Sequence, residues 1–127
     1  QYYWGMTMLH CATCLGRLDL AKLLLDNGAD VNISDKFGDT PLIDASAGGH
    51  TSIVEQLLLE KAADPNISNK DGNTPLILAS KGGRTDIVEQ LLEKGVDPNL
   101  CNDDGSTPLI RASGGGHTDV AKILLEK

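Results

Sequence analysis

Thr74-Pro75-Leu76-Ile77-Leu78-Ala79-Ser80-Lys81-Gly82-Gly83-Arg84-Thr85-Asp86-Ile87-Val88-Glu89-Gln90-Leu91-Leu92-Glu93-Lys94-Gly95 is the stretch whose reading decides the fold. Thr74 is a good helix N-cap and Pro75 a good first helical residue, because the N–H that proline lacks has no partner at that position anyway. A short helix therefore starts at Pro75, carries Leu76, Ile77 and Ala79, and stops at Lys81-Gly82-Gly83, where glycines open backbone conformations closed to other residues. Asp86 caps or favours the start of a second helix, on which Ile87, Val88, Leu91 and Leu92 make one apolar face. Gly95 closes that helix in a left-handed conformation. Beyond it, Asp97-Pro98-Asn99 is extended and Asn102-Asp103-Asp104-Gly105 is a tight turn leading to the next Thr-Pro.

The same unit recurs along the chain. Thr7-Met8-Leu9-His10, Thr40-Pro41-Leu42-Ile43, Thr74-Pro75-Leu76-Ile77 and Thr107-Pro108-Leu109-Ile110 begin successive copies, spaced 33, 34 and 33 residues apart. The copies run over about 7–39, 40–73, 74–106 and 107–127, the last one truncated, within a single domain spanning 1–127. Two short helices rich in Ala and Gly cannot bury their apolar faces alone, so the units must stack on one another.

With its period of 33 residues, its Thr-Pro-Leu starts, its Gly-x-Thr pairs at Gly5/Thr7, Gly38/Thr40, Gly72/Thr74 and Gly105/Thr107, and Gly28-Ala29-Asp30-Val31-Asn32, the chain resembles the ankyrin repeat family. The resemblance covers essentially everything from Gly5 to Lys127. It implies an all-α solenoid of stacked helix-turn-helix units joined by β-hairpin-like loops, with a concave surface that binds other proteins. Asn32, Asn66 and Asn99 stand at the family position known to accept β-hydroxylation. Two departures stand out. The signature histidine survives only as His10, with Ile43, Ile77 and Ile110 in its place, substitutions suited to a dry interface. The second copy also has one residue more than the third in Leu57-Leu58-Leu59-Glu60-Lys61-Ala62-Ala63-Asp64, and puts Ala62 where glycine is expected. A longer, distorted turn is expected there. Forcing alanine to positive φ costs about 1 kcal/mol, which favours the extra residue turning the chain by another route.

Composition bounds the function. The 127 residues are 40% apolar and 23% charged, enough for a core. There is no apolar run long enough to span a membrane and no leader-like start at Gln1–Met6. A net charge of −7 disfavours nucleic acid and anionic membrane as partners. Three cysteines are too few for a disulfide scaffold and point to a reducing, intracellular and cytoplasmic setting. With four aromatic residues, an aromatic-lined cofactor pocket is not expected, and no cofactor is assigned.

No constellation reads as catalytic. Cys11-Ala12-Thr13-Cys14 has the spacing of a redox pair or half a zinc site, but the remaining cysteine, Cys101, falls roughly 20–30 Å away in a stack with helices about 10 Å apart. The chain is thus expected to hold no metal. Asn69-Lys70-Asp71-Gly72-Asn73 and Asn102-Asp103-Asp104-Gly105-Ser106 lack the later glutamate of a calcium loop and read as plain turns. His10 beside Cys11 and Cys14 lacks an orienting third residue.

The residues that differ most between copies lie in the turns and late in the first helices, which by the resemblance line the concave face. The candidate partner-binding set is Tyr3, Trp4, Met6, Cys11, Lys36, Phe37, Asp39, Asp44, Lys70, Asp71, Asn73, Leu78, Lys81, Asp103, Asp104, Ser106 and Arg111. Their mixed charges predict a patterned protein or peptide partner rather than a polycation. Trp4 and Phe37 occupy the same turn position and are read as aromatic anchors. The expected function is a protein–protein interaction module without catalysis. A designed scaffold with no natural partner is the alternative, against which the irregular second copy and the scattered cysteines count. The apolar Val120, Ile123 and Leu124 give the last helix no polar outer face, so the chain is expected either to continue in a longer array or to be a monomer that self-associates weakly through uncapped ends.

Overall fold

A computed structural model describes residues 7–127. Among these residues, eight helices follow one another in four antiparallel pairs: α1 (Met8–Cys14) with α2 (Leu18–Asp26), α3 (Pro41–Gly48) with α4 (Thr51–Glu55, continued by a π-helical turn over Gln56–Glu60), α5 (Pro75–Lys81) with α6 (Thr85–Glu93), and α7 (Pro108–Gly114) with α8 (Thr118–Leu125). The described residues form no β-strand.

The first helix of every pair starts as the sequence dictates. Thr7, Thr40, Thr74 and Thr107 sit in extended conformation, and each hydroxyl accepts the N–H three residues on, at 3.2–3.3 Å. At α1 the cap is reciprocal. His10 Nδ1 accepts the Thr7 N–H at 3.1 Å, while its Nε2–H donates to the Asp39 carbonyl at 2.8 Å and so ties the first pair to the turn ahead of the second. The second helices start without a side-chain cap; Asp19, Asp86 and Asp119 lie within the first turn and favour it through the helix dipole.

Two layers result. Ala12, Ala45, Ala79 and Ala112, each fully buried, recur at one position of the first helices and let α1, α3, α5 and α7 approach closely. The second helices meet through larger side chains, among them Leu25, Ile53, Val54, Leu57, Ile87, Val88, Leu91 and Val120, and stand less close. One continuous apolar core runs between the layers from Leu9 to Leu124. Ile43 and Ile77 are buried at 1% and 0% exposure, as a dry interface requires, whereas Ile110 at the same position of α7 is 53% exposed. Val120 and Leu124 turn inward and are buried, contrary to the expectation of a water-facing outer side. The exposed apolar residues of the last pair are instead Ile110 and Leu125.

The extra residue of the second copy is absorbed in the π-helical turn. In the first pair the Ala29 N–H closes the helix end on the Leu24 carbonyl, five residues back; in the second, Ala63 reaches the Leu57 carbonyl, six back. The widened turn pushes Leu59 outward to 63% exposure while Leu57 and Leu58 keep their places in the core. Ala62 does not escape the left-handed region: its φ is +53°, beside +90° and +80° at the equivalent Gly28 and Gly95. The expected alternative route is therefore corrected, since chain direction after the helix demands that conformation whatever residue stands there.

Candidate functional site

The turns between pairs are built by one device used three times. Asp35 Oδ1 accepts the N–H groups of Phe37 and Asp39, Asn69 Oδ1 those of Asp71 and Asn73, and Asn102 Oδ1 those of Asp104 and Ser106, all at 2.9–3.0 Å. Neighbouring turns are then laced together. The Lys70 N–H donates to the Phe37 carbonyl at 2.9 Å, and that of Asp103 to the Asp71 carbonyl at 3.0 Å. Beside them, Asn69 Nδ2 donates to Asp39 Oδ1 at 2.9 Å and Asn102 Nδ2 to Asn73 Oδ1 at 2.8 Å. Gly38 is what permits the close approach: at φ +79° a Cβ there would lie 2.9 Å from the Lys70 nitrogen.

Along this edge the exposed side chains are Lys36, Phe37, Lys70, Asp71, Asp103 and Asp104. Asp39, Asn73 and Ser106 are half-buried, and Asp39 and Asn73 spend a carboxylate and an amide oxygen on the lacing. On the adjoining first helices, Cys11, Asp44, Leu78 and Arg111 occupy one equivalent position and are all half-buried, with Lys81 exposed one turn later on α5. Tyr3, Trp4 and Met6 lie outside the described residues.

Electrostatics distinguish the two ends of this face. Asp44 is pushed up to about 7, first by burial and then by the nearby Asp39 and Asp35 carboxylates. Burial likewise raises Asp39, with Asn69 opposing it through its hydrogen bond. The Cys14 thiol lies near Asp44 and is pushed up to about 12, by partial burial first and the Asp44 carboxylate next. A thiol held in that direction is a poor nucleophile and a poor metal ligand, which works against redox or zinc chemistry at the Cys11/Cys14 pair. All three cysteines are free thiols, and no group of three or more His, Cys, Asp or Glu among the described residues is placed to hold a metal ion. At the other end, Lys81, Ser106, Ile110, Arg111, Gly114 and Gly115 line a cleft of about 400 Å³ between α5 and α7.

Sequence reasoning passed over two contacts. His50 Nε2 lies 3.2 Å from the Cys14 carbonyl and His117 Nε2 2.9 Å from that of Lys81, so each histidine donates to the end of the first helix in the preceding pair. Their shared place after Gly-Gly was the available signal.

No helix among the described residues is long and apolar enough to cross a membrane. The family model described as "Ankyrin repeats (3 copies)" matches residues 1–69 and 45–127. Similar relatives include a probable E3 ubiquitin-protein ligase, XBOS33, of Oryza sativa subsp. japonica, 45% identical over 37% of this chain and 9% of its own length. The ankyrin repeat-containing protein P1E11.10 of Schizosaccharomyces pombe is 47% identical over 30% of this chain and 18% of its own. The serine/threonine-protein kinase VIK of Arabidopsis thaliana is 43% identical over 42% and 12%. The chain thus matches less than a fifth of the length of each of these relatives. The stacked helix pairs, their Thr-Pro starts and laced turns, together with the family match across its length, make this chain a member of the ankyrin repeat family.

Proposed function

We propose that the chain is a protein-recognition module that grips a protein or peptide on the face formed by the turns and first helices, and performs no catalysis. The observation that carries the reading is the contrast between a repeating frame and a varied surface. Thr caps, Ala contacts and turn hydrogen bonds recur from copy to copy, while Phe37, Asp44, Leu78, Lys81 and Arg111 differ at equivalent or neighbouring positions, Phe37 and Lys81 exposed and the other three half-buried. Ankyrin repeats mediate protein–protein interaction, which supports the same reading. The net charge of −7 favours a partner other than nucleic acid or anionic membrane, and three free thiols suit a reducing, intracellular setting. Ile110 and Leu125 are where a monomer would self-associate weakly.

The test is a pull-down with mass-spectrometric readout, comparing the unaltered chain with a variant carrying Phe37→Ala, Leu78→Ala and Arg111→Ala, once both show equal helical content by circular dichroism. A partner captured by the first and lost by the second supports the reading. A partner captured equally by both moves the binding surface elsewhere.

A further inference from the structure

Charge is mixed along the turns, where Lys36 and Lys70 stand with Asp71, Asp103 and Asp104, but it is sorted along the first helices. At the equivalent position of successive first helices stand Cys11, Asp44, Leu78 and Arg111, so an acid occupies α3 and a base α7. Asp35, Asp39 and Cys14 surround the acid. Around the base the lining is different in kind. The cleft between α5 and α7 contains two cations, Lys81 and Arg111, the Ser106 side chain and the exposed Ile110, and no carboxylate. In a chain with 18 acidic residues against 11 basic ones, two cations on one cleft without an acid are a local reversal of sign. Arg111 Nε is shut off from solvent and makes no hydrogen bond. A desolvated, unpaired guanidinium N–H is costly, and an oxyanion received on that edge after a small side-chain rotation removes the penalty.

We propose that the α5–α7 cleft is the seat for a carboxylate side chain, Asp or Glu, of the bound peptide, received by Arg111 and Lys81 with the peptide's neighbouring apolar groups against Ile110. This inference rests on the recognition-module reading and gives its partner a chemistry. Arg111 offers a planar fork that matches a carboxylate, Lys81 a mobile point charge at the mouth, and Ser106 a further hydroxyl donor. The opposite end of the face contributes by repulsion: Asp44, Asp39 and Asp35 disfavour the same carboxylate there, so its placement along the stack is specified by both ends.

The test uses a phage-displayed library of random dodecapeptides, selected in parallel on the unaltered chain, on Arg111→Glu and on Lys81→Glu. Lys81 is exposed, so its variant keeps the question open should Arg111→Glu unfold. Peptides from the unaltered chain are expected to share one Asp or Glu. Synthesised with Gln or Asn at that place, they lose at least tenfold in affinity, and the variants select Lys or Arg there instead. Enriched peptides with no acidic preference, or an acidic preference unchanged in both variants, overturn the carboxylate seat while leaving the recognition module intact. A phosphoserine peptide that binds where its glutamate counterpart does not overturns it in favour of a phosphoryl group. Enrichment of nothing overturns a short-peptide ligand, and the pull-down then decides separately whether a folded partner is bound.

Discussion

His117 Nε2 stands 2.9 Å from the carbonyl oxygen of Lys81, joining the start of α8 to the end of α5 across the boundary between helix pairs. The carbonyls at the end of a helix have no partner within it, and this bond satisfies one of them from the next unit. His117→Ala is expected to cost about 1 kcal/mol, a fall of about 4 °C in Tm, readable by circular dichroism. An unchanged Tm would show that water replaces the ring without penalty. The same variant should also loosen the Lys81 backbone, and hydrogen exchange at the end of α5 reads that directly.

The left-handed alanine gives a prediction of opposite sign. Ala62→Gly relieves the cost of φ +53° and is expected to raise unfolding stability by about 0.5–1 kcal/mol, measured from urea midpoints. Deleting Leu59, the exposed residue of the π-helical turn, is expected to convert α4 and that turn into one continuous α-helix at little cost to the core. A loss above about 2 kcal/mol would mean that Leu59 packs against more than its exposure implies.

Asp44 makes stability depend on pH. Its folded value of about 7 exceeds the ordinary 3.8, so below about pH 4 both folded and unfolded chains hold the proton. Between the two values only the folded chain keeps it, and stability falls as pH rises until it levels near 7. Asp44→Asn is expected to flatten that fall and to be more stable at pH 8 by on the order of 2 kcal/mol. It also frees the Cys14 thiol from its largest charged neighbour, so iodoacetamide labelling of Cys14 at pH 8 is expected to accelerate. Equal labelling rates would leave burial, with the smaller effects of Cys11 and Asp35, as the cause of the raised thiol.

Ile77 and Ile110 occupy equivalent positions with opposite exposure, which separates residue type from environment. Ile77→Ala is expected to cost about 2–4 kcal/mol and Ile110→Ala under about 1 kcal/mol by urea denaturation. Comparable losses would require Ile110 to be covered in solution, as self-association through that face would do, and sedimentation at two concentrations distinguishes this.

These residues also mark what a linear reading reaches. Thr-Pro, Gly-Gly and the leucine spacing encode local structure, so the helix starts, the pairing of helices and the stacking are legible in the chain alone. The extra residue near Leu59 is legible as a position but not as a conformation, because a π-helical turn and a left-handed Ala62 each carry a cost and the packing of Leu57 and Leu58 decides that both are met. The inward turn of Val120 and Leu124 depends on how α8 lies on α6, which no local signal carries. The repeated Gly-Gly-His marks His50 and His117 in the chain, but the carbonyls that they reach appear only when neighbouring units are set side by side in space. Asp44 and Arg111 are 67 positions apart in the chain and two stacked units apart in the fold.

The laced turns give the molecule a mechanical asymmetry. Along one edge, neighbouring units are held by directional bonds from Lys70 to Phe37 and from Asp103 to Asp71, each doubled by an asparagine amide. Between the second helices the contacts are chiefly apolar and without preferred direction, with one exposed ion pair, Lys61 to Asp26 at 2.9 Å, joining their ends in the first two units. In a beam built this way the neutral axis lies near the turns. A stack built this way is expected to flex by opening and closing its second-helix side while the laced edge keeps its length, so the spacing of the turns stays constant.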